Sequence, residues 1–146
     1  NEPKIKIIET EWDEKPKNGE HVLAVETNKA LHHVSKNMDW GFYIQGDEVV
    51  HEKDLETIKS AMLKHKDNER VDGLLFKYLH FYGSYDFVGT SRSWYKNEIR
   101  IIRNNKSIRS YKDAQGFRKE GEKLKVKKIN ASIFHYGWVK HPKHQQ

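Results

Sequence analysis

The sequence predicts an α/β domain in which a strand, helix, strand, helix half runs into a mixed sheet made mostly of strands. Three observations carry this. Apolar residues repeat at helical spacing in two segments, 21–36 and 52–66. From Val71 onward the texture turns to β, with runs such as 73–82 and 98–103. Between the two helical segments, the short apolar run Phe42-Tyr43-Ile44 breaks at Gln45-Gly46 and leads into two adjacent acids, Asp47 and Glu48.

The 146 residues suit one domain spanning 1–146, with 36% hydrophobic and 33% charged residues, so the core must come from short, well-patterned segments. Cysteine is absent, which excludes disulfides, thiolate metal sites and cysteine nucleophiles together. That fits a reducing compartment, and a cytoplasmic location is expected. No apolar run approaches the ~20 residues that cross a membrane, and no secretory leader is visible. The chain opens on Asn1 rather than Met and a strand-like segment follows three residues later, so a natural N-terminal part is expected to be missing.

The formal charge of +6 favours anionic partners. Its densest run, Lys123 to Lys128, alternates Lys with Leu and Val, which reads as a half-buried strand with one solvated face. A nucleic-acid-binding domain would want Lys and Arg interleaved with exposed aromatics on one face, and nucleic acid is not an expected partner.

Element by element, Ile5, Ile7 and Ile8 suggest a first strand, and residues 11–19 a polar loop. Leu23, Ala30, Leu31 and Val34 share one helical face with Thr27, while Asn28 lies off it. A buried strand around Phe42 follows. In 52–66, Leu55, Ile58, Ala61 and Met62 fall at helical spacing, with acids at the start and Lys64-His65-Lys66 at the end, matching the helix dipole. Strands are expected at 73–82 and 98–103, a polar loop at 110–122, and two final strands, 124–129 and 131–135, around a turn at Asn130. Residues 140–146 read as a frayed tail.

Asp47 and Glu48 end a strand where an α/β sheet binds ligands, which suggests a divalent cation or proton transfer; the alternative is that Asp47 only shapes a turn. Arg100 and Arg103, three apart, point to opposite faces of a regular strand, so at most one reaches a site unless a bulge intervenes.

An Asn on a helix (Asn28), then Asp39-Trp40, an apolar strand and an acid pair resembles the centre of family-2 glycosyltransferases with the GT-A fold. Further along, Glu98 to Arg103 looks like the arginine-bearing strand of relatives that act on bacterial surface sugars, and His135-Tyr136-Gly137-Trp138 resembles their C-terminal His-Tyr-Gly element. The stretches Tyr43 to His51, Tyr111 to Arg118 and His135 to Val139 resemble short bacterial proteins of this class, and the resemblance covers most of 4–139. In that family the strand ends Asp-x-Asp-Glu and the acids bind the cation that bridges a nucleotide-sugar diphosphate. Here Gln45 stands where the first Asp would be. The family also holds the nucleoside with an N-terminal strand-helix-strand unit, for which this chain starts too late.

The resemblance therefore implies an inverting glycosyltransferase acting from a nucleotide-sugar donor on a saccharide or lipid-linked acceptor, in the cytoplasm or at the inner face of the membrane. The implied cofactor is Mn²⁺ or Mg²⁺, held by Asp47 and His135, since hard cations take carboxylate oxygens and Mn²⁺ accepts an imidazole; His135 as an edge histidine bonded to backbone is the alternative. Asp113 is the expected catalytic base, lying in a loop among Lys112, Gln115 and Arg118, with a loop-capping role as the other reading and Glu98 in reserve. Asn28, Gln45, Glu48, Arg100, Arg103 and Arg118 are expected at the donor or acceptor. Most aromatics between Tyr78 and Tyr95 should be core, and Trp94 is the ring assigned to an acceptor subsite. A different class of reading is a non-catalytic sugar- or nucleotide-binding module on the same fold. Loss of an N-terminal unit would expose a sheet edge, so a homodimer is expected.

Overall fold

The computed structural model describes residues 4–12 and 21–139. Among these the chain is mixed α/β, as expected. Its elements are α1 (Val22–His32), β1 (Trp40–Phe42), β2 (Glu48–Val50), a 3₁₀ turn (Glu52–Asp54) leading into α2 (Leu55–Lys64), β3 (Gly73–Tyr82), β4 (Asn97–Arg103), β5 (Ile108–Tyr111), β6 (Gly116–Lys119), β7 (Glu122–Lys123) and β8 (Val126–Trp138). Five strands form one sheet in the order β1-β4-β3-β8-β2, and β5-β6-β7 form a small second sheet. The β3–β8 pair is parallel, and the other pairings are antiparallel.

The core follows from strand alternation. On β3, Leu74, Phe76, Tyr78 and His80 are all buried, two residues apart, so they share one face. Leu74, Phe76, Ile101, Ile129 and Ile133 pack there against Ile58 of α2. A second cluster, Ile102, Ile108, Phe117 and Leu124, joins the small sheet to the main one, with Leu31 of α1 against it. Asn28 contributes to the same junction, its Oδ1 accepting from the Ser110 N–H at 2.8 Å.

Several expectations need correcting. Residues 5–12 form no strand; Ile5 and Ile7 are exposed, and the segment lies along α1 through Thr10 to Glu26 and Lys29 to the Glu11 carbonyl. The alternating pattern there finds no strand partner among the described residues. The run at 42–44 is not a buried strand, because β1 is an edge strand and Phe42 and Ile44 stay exposed. Asp47 and Glu48 do not end a strand, because β1 stops at Phe42 and Glu48 is the first residue of β2. Residues 110–122 are not a loop but most of a three-stranded meander. Its turns place Lys112, Ala114, Glu120 and Gly121 at positive φ, and the last two form a two-residue hairpin loop of the kind whose twist suits the strands. Asn130 does not turn the chain. While β3 advances from Leu75 to Lys77, β8 advances from Lys128 to Ser132, so two extra residues are absorbed as a bulge within one long strand. The Asp54 carboxylate accepts the Ser132 N–H there, and Lys77 donates to Asn130. The polar segments 13–19 and 140–146 lie outside the described residues.

Candidate functional site at the carboxyl ends of the parallel strands

The parallel strands β3 and β8 end on the same side, and β2 and β4 begin there. Glu48, His135 and His80 fall in one row across β2, β8 and β3. The shared face of β3 thus passes from apolar (Leu74, Phe76) to polar (Tyr78, His80) as it reaches this end.

At its centre is a buried ion pair. Arg100 Nε lies 3.0 and 2.9 Å from the two Glu48 carboxylate oxygens, and its Nη2 donates to Oε1 at 2.6 Å. The Tyr78 hydroxyl donates to the same Oε1. Arg100 is aimed there by a bulge, since β3 residues 74 and 75 pair with 101 and 99 of β4, which leaves Arg100 as the extra residue. Burial is the largest single influence on Glu48 and opposes its charge, but the hydrogen bonds and charge of Arg100, with Tyr78 and the Gln45 N–H, together outweigh it and hold the carboxyl below its usual range. Burial likewise pulls Arg100 down, and Glu48 more than restores it, so the guanidinium is raised. Tyr78 is raised by burial and then by Glu48, and stays protonated.

This pair fixes the preceding turn. Glu48 N–H donates to the Gln45 carbonyl, Gln45 N–H donates back to Glu48 Oε2, and the Asp47 carbonyl accepts from Tyr136 N–H at 2.8 Å. Asp47 is therefore presented at the surface, its Oδ2 3.3 Å from His135 Nε2. The His135 Nδ1 faces the buried His80 Nδ1 at 3.1 Å. Burial, then the nearby His135, lowers His80 to about 4, so it is a neutral ring at pH 7. Its Nε2 makes no hydrogen bond of good geometry, although the Tyr95 backbone stands close enough to favour protonation slightly. Gly137 leaves the notch open, because a Cβ there would collide with the Asp47 carboxylate and the His135 ring.

Two further groups line this end. Glu98 is pushed up to about 7, by burial first and by Glu48 as well, despite Arg100 Nη1 at 3.5 Å. Two carboxyls beside one arginine are thus driven apart, Glu48 ionised and Glu98 titrating near neutrality. Trp94 packs on His80 (4.8 Å between centroids), Tyr82 and Trp138, and Gly89 admits the indole edge where a Cβ would clash.

Of the residues singled out in the sequence, Gln45, Asp47, Glu48, Trp94, Glu98, Arg100 and His135 meet here. The others do not share it. The Arg103 guanidinium donates to the carbonyls of His65, Lys66, Asn68 and Val71 and lies over the Trp40 ring, so it closes the C-terminal end of α2. Asn28 is used at the α1–β5 junction. Asp113, at the β5–β6 tip, pairs with His21 at 2.7 Å, and Arg118 covers Tyr111 on the outer face of the small sheet. Tyr78, His80 and Gly137 were missed. The change from apolar to polar along alternate β3 positions was the available signal.

Asp47 and His135 could supply two ligands to a cation, and among the described residues no group of three or more His, Asp or Glu side chains converges to hold a metal. Two protein ligands suit a cation that arrives with a diphosphate, since Mg²⁺ in particular is held by one or two carboxylates together with substrate phosphates and water. No helix among the described residues is long and apolar enough to cross a membrane. Compared with models of known protein families and with curated proteins, the chain matches none.

Proposed function

We propose that this chain is a glycosyltransferase domain of GT-A type, moving a sugar from a nucleotide-diphosphate donor to a hydroxyl of a saccharide or lipid-linked acceptor. The supporting observation is the presentation of Asp47 opposite His135, above the Gly137 notch, at the carboxyl ends of the parallel strands. In this reading Asp47 and His135 would hold a Mn²⁺ or Mg²⁺, which would supply charge neutralisation for a leaving diphosphate. Arg100 and Glu48 position the turn and do not touch substrate. The exposed side of the Trp94–Trp138–Tyr82 cluster offers rings to an acceptor sugar. Asp113, held by His21 at the β5–β6 tip, lies outside this site, so the base is assigned instead to Glu98, the reserve carboxyl that lines it and titrates at about 7.

Calorimetric titration of UDP and GDP in the presence of Mn²⁺, beside an Asp47→Ala variant, tests it. Metal-dependent binding lost in the variant supports the reading. Metal-dependent binding that survives in the variant removes Asp47 from the diphosphate and the reading with it. A non-catalytic sugar-binding module is the second reading, favoured by Gln45 in place of an acid and by the aromatic cluster beside the notch. Saccharide binding without metal, and no transfer from UDP- or GDP-sugars, would favour it.

A further inference from the structure

Residues 104–128 contain nine Lys or Arg and three Asp or Glu, a net charge of +6. That equals the +6 of the whole chain, so the remaining sequence is formally neutral. The β5–β7 meander itself holds five of these cations and all three acids, a net +2, and Lys106, Lys125, Lys127 and Lys128 flank it. Alternation divides its charges between two faces. On the inner side Lys119 stands opposite Glu122 and donates to the Asp72 carboxylate at 2.9 Å. On the outer side Arg109 stands directly opposite Arg118, and Arg118 directly opposite Lys123. Like charges opposite each other in a sheet cost stability, so the outer row is held at a cost that the inner pairs avoid. Beside it the exposed Tyr111 ring is covered by Arg118 (4.6 Å to the centroid) and approached by Lys112 (5.4 Å).

We propose that the outer face of the β5–β7 meander, built on Arg109, Arg118, Lys123 and Lys112, docks the domain on an anionic lipid surface. The charge is arranged across neighbouring strands of a sheet face, which suits the diffuse potential of a membrane carrying acidic headgroups. Two of the face's four cations are lysines, point charges without the fork that reads a single phosphate, and the Arg118 guanidinium is spent over the Tyr111 ring. A single-stranded nucleic acid is the weaker occupant, because it needs uncovered aromatic faces for base stacking, and Tyr111 is capped by Arg118. The inference stands apart from the Asp47 site and does not depend on it.

The test is co-sedimentation of the whole chain with vesicles of phosphatidylcholine alone and of phosphatidylcholine with about one third phosphatidylserine, at low salt and at about 0.5 M salt. An Arg109→Glu/Lys123→Glu variant is compared with Lys53→Glu/Lys59→Glu, which changes the net charge equally on exposed positions of the 3₁₀ turn and α2. The expected result is binding to the acidic vesicles only, lost at high salt, weakened at least about tenfold in the meander variant and much less in the control. The meander variant should also melt no lower than the parent, because a carboxylate on each neighbouring strand would then flank Arg118 with opposite charge. Equal binding to neutral vesicles, no binding to acidic vesicles at low salt, or equal loss in both variants would overturn the proposal. Tighter binding to a single-stranded RNA oligonucleotide than to the acidic vesicles would overturn it in favour of nucleic acid.

Discussion

Glu98 and His80 give the site an opposed pH response. Glu98 rises from 4.5 to about 7 on folding, so the native state binds its proton more tightly. The associated stability is full below pH ~4.5 and is lost as pH rises through about 7, on the order of 2–3 kcal/mol for a side chain this buried. His80 falls from 6.5 to about 4, so its contribution is present above pH ~6.5 and lost as pH falls toward 4. Between pH 4.5 and 6.5 the two largely cancel. In Glu98→Gln the His80 term stands alone, and urea midpoints should climb from pH 4.5 to 6.5 where the parent is nearly flat. A parallel shift of both curves would show that Glu98 does not titrate in this range. The Asp47–Glu48 acid pair and the arginine pair were legible as chemistry. Their division of labour was not, because which acid is buried depends on the bulge at Arg100, a register detail that pairwise spacing does not encode.

At the scale of elements, two residues have roles that the sequence assigns to a ligand or to nothing. Arg103 accounts for four carbonyls at and beyond the C-terminal end of α2. Arg103→Ala should cost about 1–3 kcal/mol and raise amide exchange in the last turn of α2, leaving nucleotide binding unchanged; loss of binding without a stability change would instead place Arg103 at the site. Gly137→Ala forces a methyl between Asp47 and His135, so affinity for Mn²⁺ with UDP or GDP should fall severalfold or more while the melting temperature moves little. Unchanged affinity would mean the notch is not where the cation sits. The helices and the strands β3 and β4 were readable because their periodicity is local. The meander was misread because its turns use Lys, Ala and Glu at positive φ, where turn residues are normally Gly, Asn or Asp. The long β8 was split in two because Asn130 looks like a turn residue but occupies a bulge.

For the molecule as a whole, the α/β class and the order of the central elements came from composition and periodicity, while the sheet order did not. Neither the parallel β3–β8 pairing nor the placing of β1 and β2 on opposite edges has a local signature. The β1 edge is bordered by exposed Met38, Phe42 and Ile44, beside a small apolar groove lined by Thr27, Leu31, Tyr43 and Phe117. Edges of this kind pair with other chains. Light scattering should therefore show concentration-dependent self-association that an Ile44→Lys variant reduces; a monomer at all concentrations would count against it.

The short segment between β1 and β2 has a consequence for how the protein assembles. Phe42 and Glu48 lie on strands four sheet spacings apart, about 19 Å in a flat sheet, and six residues reach only about 20 Å when extended. The Gln45–Glu48 turn shortens that reach, so the sheet must already be curled before both ends can dock. β3 and β8 must find each other across more than fifty intervening positions before β2 has an edge to join. Contacts so distant in sequence form slowly, and the Asp47 turn belongs to the last of them. Destabilising Glu48, for instance as Glu48→Gln, should then speed unfolding and leave the refolding rate nearly as it was in stopped-flow measurements. The chain would acquire its framework first and its chemistry at the end.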